Sequence, residues 1–186
     1  YNTSSTYVPQ QNSLLFTTFE DAISNTMSGK IFTWESYDSY HNGTPIVKAK
    51  DSNFAPAYYA ANFYNSIDLT GKLGGKTLAA TLNKEQVWYL PSFNEWKEVF
   101  MKLGFGVQIN RWSESPWKGK MAHYAFTSAN GASIVDTNIF YWSSSEYTPY
   151  PPNAAHACSV SPSSSTLYFF ADYKWGFDNV RPFVSF

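Results

Sequence analysis

Apolar residues recur at helical spacing through the first half of this chain and in strand-like runs through the second. Thr17-Thr18-Phe19-Glu20 has capping-box form, a hydroxyl residue followed three positions later by Glu. Phe19, Ala22, Ile23 and Met27 then share one face before Gly29 supplies a stop. That pattern predicts a short first helix. Ile31-Phe32-Thr33-Trp34 predicts a strand. Between Asp51 and Asn65, Pro56 takes a first-turn position and Ala57, Ala60, Ala61 and Tyr64 follow at helical spacing, small residues suited to close packing on a sheet. The sharpest local signal is Val87-Trp88-Tyr89-Leu90-Pro91-Ser92-Phe93-Asn94-Glu95-Trp96. Pro91 marks a strand-to-helix turn, and Ser92 with Glu95 forms a second capping box. It opens a helix whose buried face is Trp96, Val99, Phe100 and Leu103, ending at Gly104.

Beyond Gly104 the pattern changes to strand and loop from Arg111 to Gly119. A strand near His123 to Thr127, a turn at Asn130-Gly131 and a strand from Asn138 to Ser143 follow. Helices first and irregular strands afterwards argue for an α+β fold, not an alternating parallel one. No internal repeat, coiled-coil heptad or domain boundary interrupts the chain, so residues 1–186 read as a single domain, with the polar residues 1–13 as a linker or the edge of a trimmed chain.

Composition narrows the function classes. The net charge is −1 and charged residues make up 15%, which leaves no basic footprint for nucleic acid or an anionic membrane. No apolar run approaches the roughly 20 residues of a membrane span, and the chain begins without a signal-peptide core. Aromatic residues reach 19%: most belong in a core, yet Tyr and Trp also give binding surfaces large contact area at low entropy cost. The lone Cys158 excludes an internal disulfide framework.

Catalytic constellations are thin. His41, His123 and His156 have no metal-ligand spacing and read as ordinary surface or hydrogen-bonded residues. Cys158 lies among small residues, and His156, two positions away, would only share its strand face. Seven Asp and seven Glu are scattered without an evident acid–base pair. Asp136 with Asn138, or Asp172 with Asp178, read as solvated loop groups in preference to calcium ligands; no metal or cofactor is implied. Asn2-Thr3-Ser4 and Asn42-Gly43-Thr44 are formal glycosylation sequons without further support, and Gly71, Gly74 and Gly75 make a turn, not a phosphate loop.

Trp88-Tyr89-Leu90-Pro91, Tyr141-Trp142-Ser143-Ser144-Ser145-Glu146, Lys174 and Val180-Arg181-Pro182-Phe183 occur in an ordered series over roughly residues 50–186. This series resembles bacterial domains of the C-type lectin fold with Trp-x-Leu-Pro, Trp-Ser-Ser-Ser-Glu and Val-Arg-Pro motifs, among them the variable proteins of diversity-generating retroelements. The resemblance implies two or three helices packed on small antiparallel sheets, paired N- and C-terminal strands and a loop-rich C-terminal lobe. Trp142 to Glu146, Ala157, Lys174 and Val180 to Pro182 would be a fixed scaffold, and residues 147–179 a variable cassette whose Asn codons are randomised at adenines. Such randomisation cannot produce Lys, Glu, Gln, Met or Trp. Residues 1–146 contain 30 of these types, whereas the 33 residues 147–179 contain two, Lys174 and Trp175, against about seven expected by proportion. Arg, which randomisation can produce, is also missing there, so a neutral loop composition accounts for part of the depletion. The Ser161-to-Thr166 stretch and Pro149, Pro151 and Pro152 depart from the Asn- and Gly-rich hairpins of such proteins.

The implied function is a non-catalytic ligand-binding or adhesion domain, outside the cell or at its surface, for a macromolecular ligand, protein in preference to glycan. Its display surface would be Tyr147, Tyr150, Asn153, His156, Tyr168, Phe170, Asp172, Tyr173, Trp175, Phe177 and Asp178. Strand alternation sends part of this set inward, with Val160 and Phe169 expected in the core. Two other readings remain: a structural or carbohydrate-binding module of a surface protein or fibre, and an enzyme resembling those that convert a sulfatase cysteine to formylglycine. The last relies on a cysteine pair that this chain lacks.

Overall fold

The computed structural model describes residues 15–35, 40–41, 44–52, 55–63, 88–105, 112–114, 118–128, 139–147, 156–162, 166–174 and 176–184. The expected linker at residues 1–13, both sequon asparagines, the glycines at 71, 74 and 75, the Asn130-Gly131 turn, and Asp136 with Asn138 lie outside them.

The main sheet has five strands in the order β1 (Leu15–Phe16), β6 (Tyr141–Tyr147), β7 (His156–Pro162), β8 (Thr166–Tyr173) and β5 (Trp112–Glu114). β1 runs parallel to β6, and the other pairs are antiparallel, so the sheet is partly mixed. Short pairs join β2 (Tyr40–His41) to β3 (Thr44–Pro45), and β4 (Trp88–Tyr89) to β9 (Phe183–Val184). The described helices are α1 (Phe19–Ser24), α2 (Gly29–Trp34), α3 (Pro56–Phe63), α4 (Phe93–Phe100) and α5 (Lys118–Ser128), with a 3-10 turn at Lys48–Lys50 and a π turn at Met101–Phe105.

The α+β class therefore holds, with more helix and a larger, less uniformly antiparallel sheet than expected. The chain-end strands do not pair with each other among the described residues: β1 lies on β6 and β9 on β4. The first helix forms, but its cap is Thr18, whose hydroxyl accepts from the Asp21 amide; Thr17 lies outside it, and the helix stops at Asn25, before Gly29. Ile31 to Trp34 is helix, not strand. Ser28 caps it, accepting from the Lys30 amide, and the Gly29 amide donates to Glu95 at 3.0 Å from far along the chain. His123 to Thr127 is likewise helix, since Ala122 and Phe126, one turn apart, both reach the core. The helix starting at Pro56 and the Ser92–Glu95 capping box form as expected, while Gly104 continues into the π turn instead of ending the element.

Both sides of the sheet are covered. On one, Cys158, Val160, Leu167 and Phe169 pack with Phe16, Ala22, Phe93, Trp96 and Phe100. Each large side chain buried there contributes roughly 1.5–3 kcal/mol. On the other, Trp142 and Ala157 meet Phe32, Tyr58, Ala61 and Leu90 from the α2 and α3 side. The register explains the division: Val160 lies opposite Phe169 and Tyr141, whereas Ser159 lies opposite Trp142 and Phe170. Val160 and Phe169 are fully buried, as alternation requires.

Candidate functional site

The Trp142-to-Glu146 run is buried along its whole length and held by bonds unlike those of a simple ladder. The Ser144 amide donates to the Pro91 carbonyl at 2.7 Å, the Phe93 amide to Ser145 Oγ at 3.0 Å, and the Tyr58 hydroxyl to the Ser144 carbonyl at 2.9 Å. Ser143 Oγ donates to the Cys158 carbonyl, and Trp96 Nε1 to the Trp142 carbonyl. Small hydroxyl side chains are needed here because two helix-bearing layers approach the strand from either side. At its end Glu146 is fully buried and meets the equally buried Lys174 at 3.1 Å. Burial lowers the Lys174 pKa, and the adjacent Glu146 opposes that shift. Arg181 lies 5.0 Å over the Phe126 ring, so its charge faces a core aromatic.

Against this frame the expected display residues separate into groups. Tyr147, His156 and Tyr173 lie in register across β6, β7 and β8. Tyr147 is half-buried and packs on Phe19 at 4.7 Å, so it belongs to the edge of the first core. His156 contacts the Tyr173 ring at 4.2 Å, and its pKa is lowered, first by burial and then by Lys174, against an opposing effect of Asp172. Tyr173 is exposed at 47%. Tyr168, Phe170 and Asp172 alternate onto the opposite side of β8, where Phe170 packs on Phe140 at 4.7 Å. Tyr150, Asn153 and Trp175 lie outside the described residues.

Phe177 and Asp178 meet at a shallow cleft of about 220 Å³. Trp142, Val180 and Gly176 line it from the sheet side, and Pro56 with Ala57 from the start of α3. Phe177 is 89% exposed, the most exposed large apolar side chain among the described residues. Tyr59, one turn along α3 from Pro56, is exposed at 43%. Asp178 accepts from Ser159 Oγ at 2.6 Å. Its pKa is pushed up to about 6, first by burial and further by Asp172, while the Ser159 bond opposes the rise. Asp172 accepts from the Tyr173 amide at 2.7 Å, and a Cβ added to Gly176 would sit 3.2 Å from its Oδ2. The two carboxylates are thus drawn together beside the cleft and are not separate solvated loop groups.

The residue pattern does not announce the contribution of α3: it places Pro56 at a helix start and Ala57 in packing on a sheet. Only the fold brings them to residues 176–180. Elsewhere chemistry is sparse. Burial pushes the Cys158 thiol well above its ordinary value, which keeps it protonated and unreactive. Among the described residues no three His, Cys, Asp or Glu side chains group to hold a metal ion, and no helix is long and apolar enough to cross a membrane. Comparison with known proteins yields no match: no family model, no curated protein and no solved structure aligns with this chain.

Proposed function

We propose that this chain is a non-catalytic ligand-binding or adhesion domain of the C-type-lectin type, placed outside the cell or at its surface, whose buried frame holds out a small aromatic and acidic surface to a protein partner. The observation that carries this reading is the contrast within residues 141–180. Trp142 to Glu146, Ala157 and Lys174 are buried, while Phe177 stands almost fully in solvent at the mouth of a cleft that the same frame supports. Covering Phe177 and its apolar surroundings would contribute on the order of 1–3 kcal/mol per ring before ordering costs. The Ser159 bond to Asp178 and the backbone bonds joining Asn179 to Phe140 and Trp142 hold the segment to the sheet, which keeps those costs small.

A substitution scan read by protease resistance tests the division between frame and display. Positions 168, 172, 173, 177 and 178 should accept most residues with little change in folding, whereas positions 142 to 146 should accept few. Equal intolerance in both sets would leave only a structural module, a reading favoured by the packing of Tyr147 on Phe19 and of Phe170 on Phe140. Ligand class is decided by screening the whole chain against protein and glycan arrays, with Phe177→Ala as the control. Capture of glycans alone would replace the protein partner with a carbohydrate. Diversification of residues 147–179 predicts a near-copy of the 3′ end of the gene, differing at adenines, beside a reverse transcriptase. Without that copy the domain keeps a fixed surface.

A further inference from the structure

We infer that the cleft between the start of α3 and residues 176–180 is a subsite for one cationic side chain, arginine or lysine, presented by the partner. This rests on the binding reading above and names what that surface takes. Size, wall chemistry and charge point the same way.

The cleft holds about 220 Å³, below the roughly 300–1,000 Å³ of pockets for drug-sized ligands, so it admits one extended side chain but not a saccharide chain or a folded element. Its walls at Pro56, Ala57, Trp142 and Val180 suit the methylene stem of a long basic residue, and the Phe177 ring offers a π system at the mouth. The polar end is acidic. Asp178 lines the cleft, with the Ser159 hydroxyl as its hydrogen-bond donor, and the Asp172 carboxylate adjoins Gly176. Among the described residues neither carboxylate has an ion-pair partner within 4.0 Å, while Lys174 lies 3.1 Å from Glu146.

Burial and the neighbouring Asp172 carboxylate both disfavour the ionised form of Asp178, and its raised pKa reports that cost. A guanidinium or ammonium group entering the cleft would relieve it. A carboxylate or phosphate would aggravate it, and a neutral apolar group would desolvate Asp178 without compensation.

The test uses the whole chain, isotopically labelled, and three glycine-flanked pentapeptides whose central residue is arginine, citrulline or norleucine. Citrulline keeps the shape of arginine and removes the charge. At neutral pH the arginine peptide should shift the Gly176, Phe177 and Asp178 amide signals saturably, and the citrulline peptide should bind at least about tenfold more weakly. Asp178→Asn, which can keep the Ser159 bond, should lose about the same factor for arginine while leaving the citrulline affinity unchanged. Phe177→Ala, at an exposed position, should weaken arginine binding without affecting folding. Equal affinity for arginine and citrulline peptides, or arginine binding untouched by Asp178→Asn, overturns cation recognition while leaving the cleft a binding site. No saturable shift with the arginine peptide also overturns it, and the frame-and-display division is then judged by the substitution scan alone.

Discussion

Asp178 carries a stability cost that sharpens its role. Its pKa lies at about 6 instead of 3.8, raised first by burial, so the ionised form is the one the fold disfavours. A carboxyl group whose folded pKa is raised binds its proton more tightly in the native state, and acidification therefore favours folding. The penalty is complete above pH 6 and fades as pH falls toward 3.8. Asp178→Asn should accordingly melt higher than the parent at neutral pH, with the gap closing as the solution is acidified through that interval. Thermal denaturation across pH checks this, and a gap that widens on acidification would contradict it. Gly29 shows the opposite case, a residue fixed by space. A Cβ there would sit 2.0 Å from the Leu90 carbonyl oxygen and 2.6 Å from the Ser92 amide nitrogen. The Ser92 amide cannot retreat without breaking its bond to Glu95, and Leu90 is tied to α2 through its amide bond to Thr33, so Gly29→Ala should cost about 3 kcal/mol or more in urea denaturation, at the upper end for overpacking. A loss under about 1 kcal/mol would show that α2 shifts freely on the Leu90–Ser92 turn.

β6 is buried from Tyr141 to Glu146, and its Glu146–Lys174 pair is a direct probe of that constraint. Both side chains are fully buried 3.1 Å apart, so removing one charge strands the other. Glu146→Gln or Lys174→Met alone should cost about 3–5 kcal/mol, whereas Glu146→Leu with Lys174→Met should recover most of that loss. A double variant as unstable as the sum of the two singles would mean the charges act independently. Elements declared by their own residues were legible in the sequence: the Ser92–Glu95 box, the helix from Pro56, and the inward alternation of Val160 and Phe169. Those that depend on remote partners were not. Ile31 to Trp34 contains good strand formers, yet Glu95 accepts from Ser28 Oγ at 2.7 Å and from the Gly29 amide, supplying helix-start bonds that no local pattern announces. In α5, exposed Met121 and Tyr124 stand beside inward Ala122 and Phe126, which blurs the helical period. The candidate site shows the same limit. Phe177 and Asp178 could be named from the chain, but their convergence with Pro56 and Ala57 crosses more than a hundred residues.

At the scale of the whole molecule, the decisive fact is that one strand serves two cores. Tyr141 faces the first, with Trp96 and Phe100, and Trp142 faces the second, with Phe32 and Tyr58. The Trp96 indole then donates to the Trp142 carbonyl at 3.3 Å, joining the layers through the strand itself. Neither core can lose β6 and keep its packing, so the described fold should unfold as one cooperative unit. Urea transitions followed by tryptophan fluorescence, near-UV and far-UV dichroism should coincide at a single midpoint. Trp96→Phe, altering the first core and that bond, should move all three midpoints together and leave their slopes unchanged. Separate midpoints, or a shift confined to one probe, would mean that the α3 layer unfolds by itself. The distinction bears on the cleft, because Pro56 and Ala57 belong to that layer while Phe177 and Asp178 hang from the sheet. Only a cooperative molecule holds the two walls of the cleft in register.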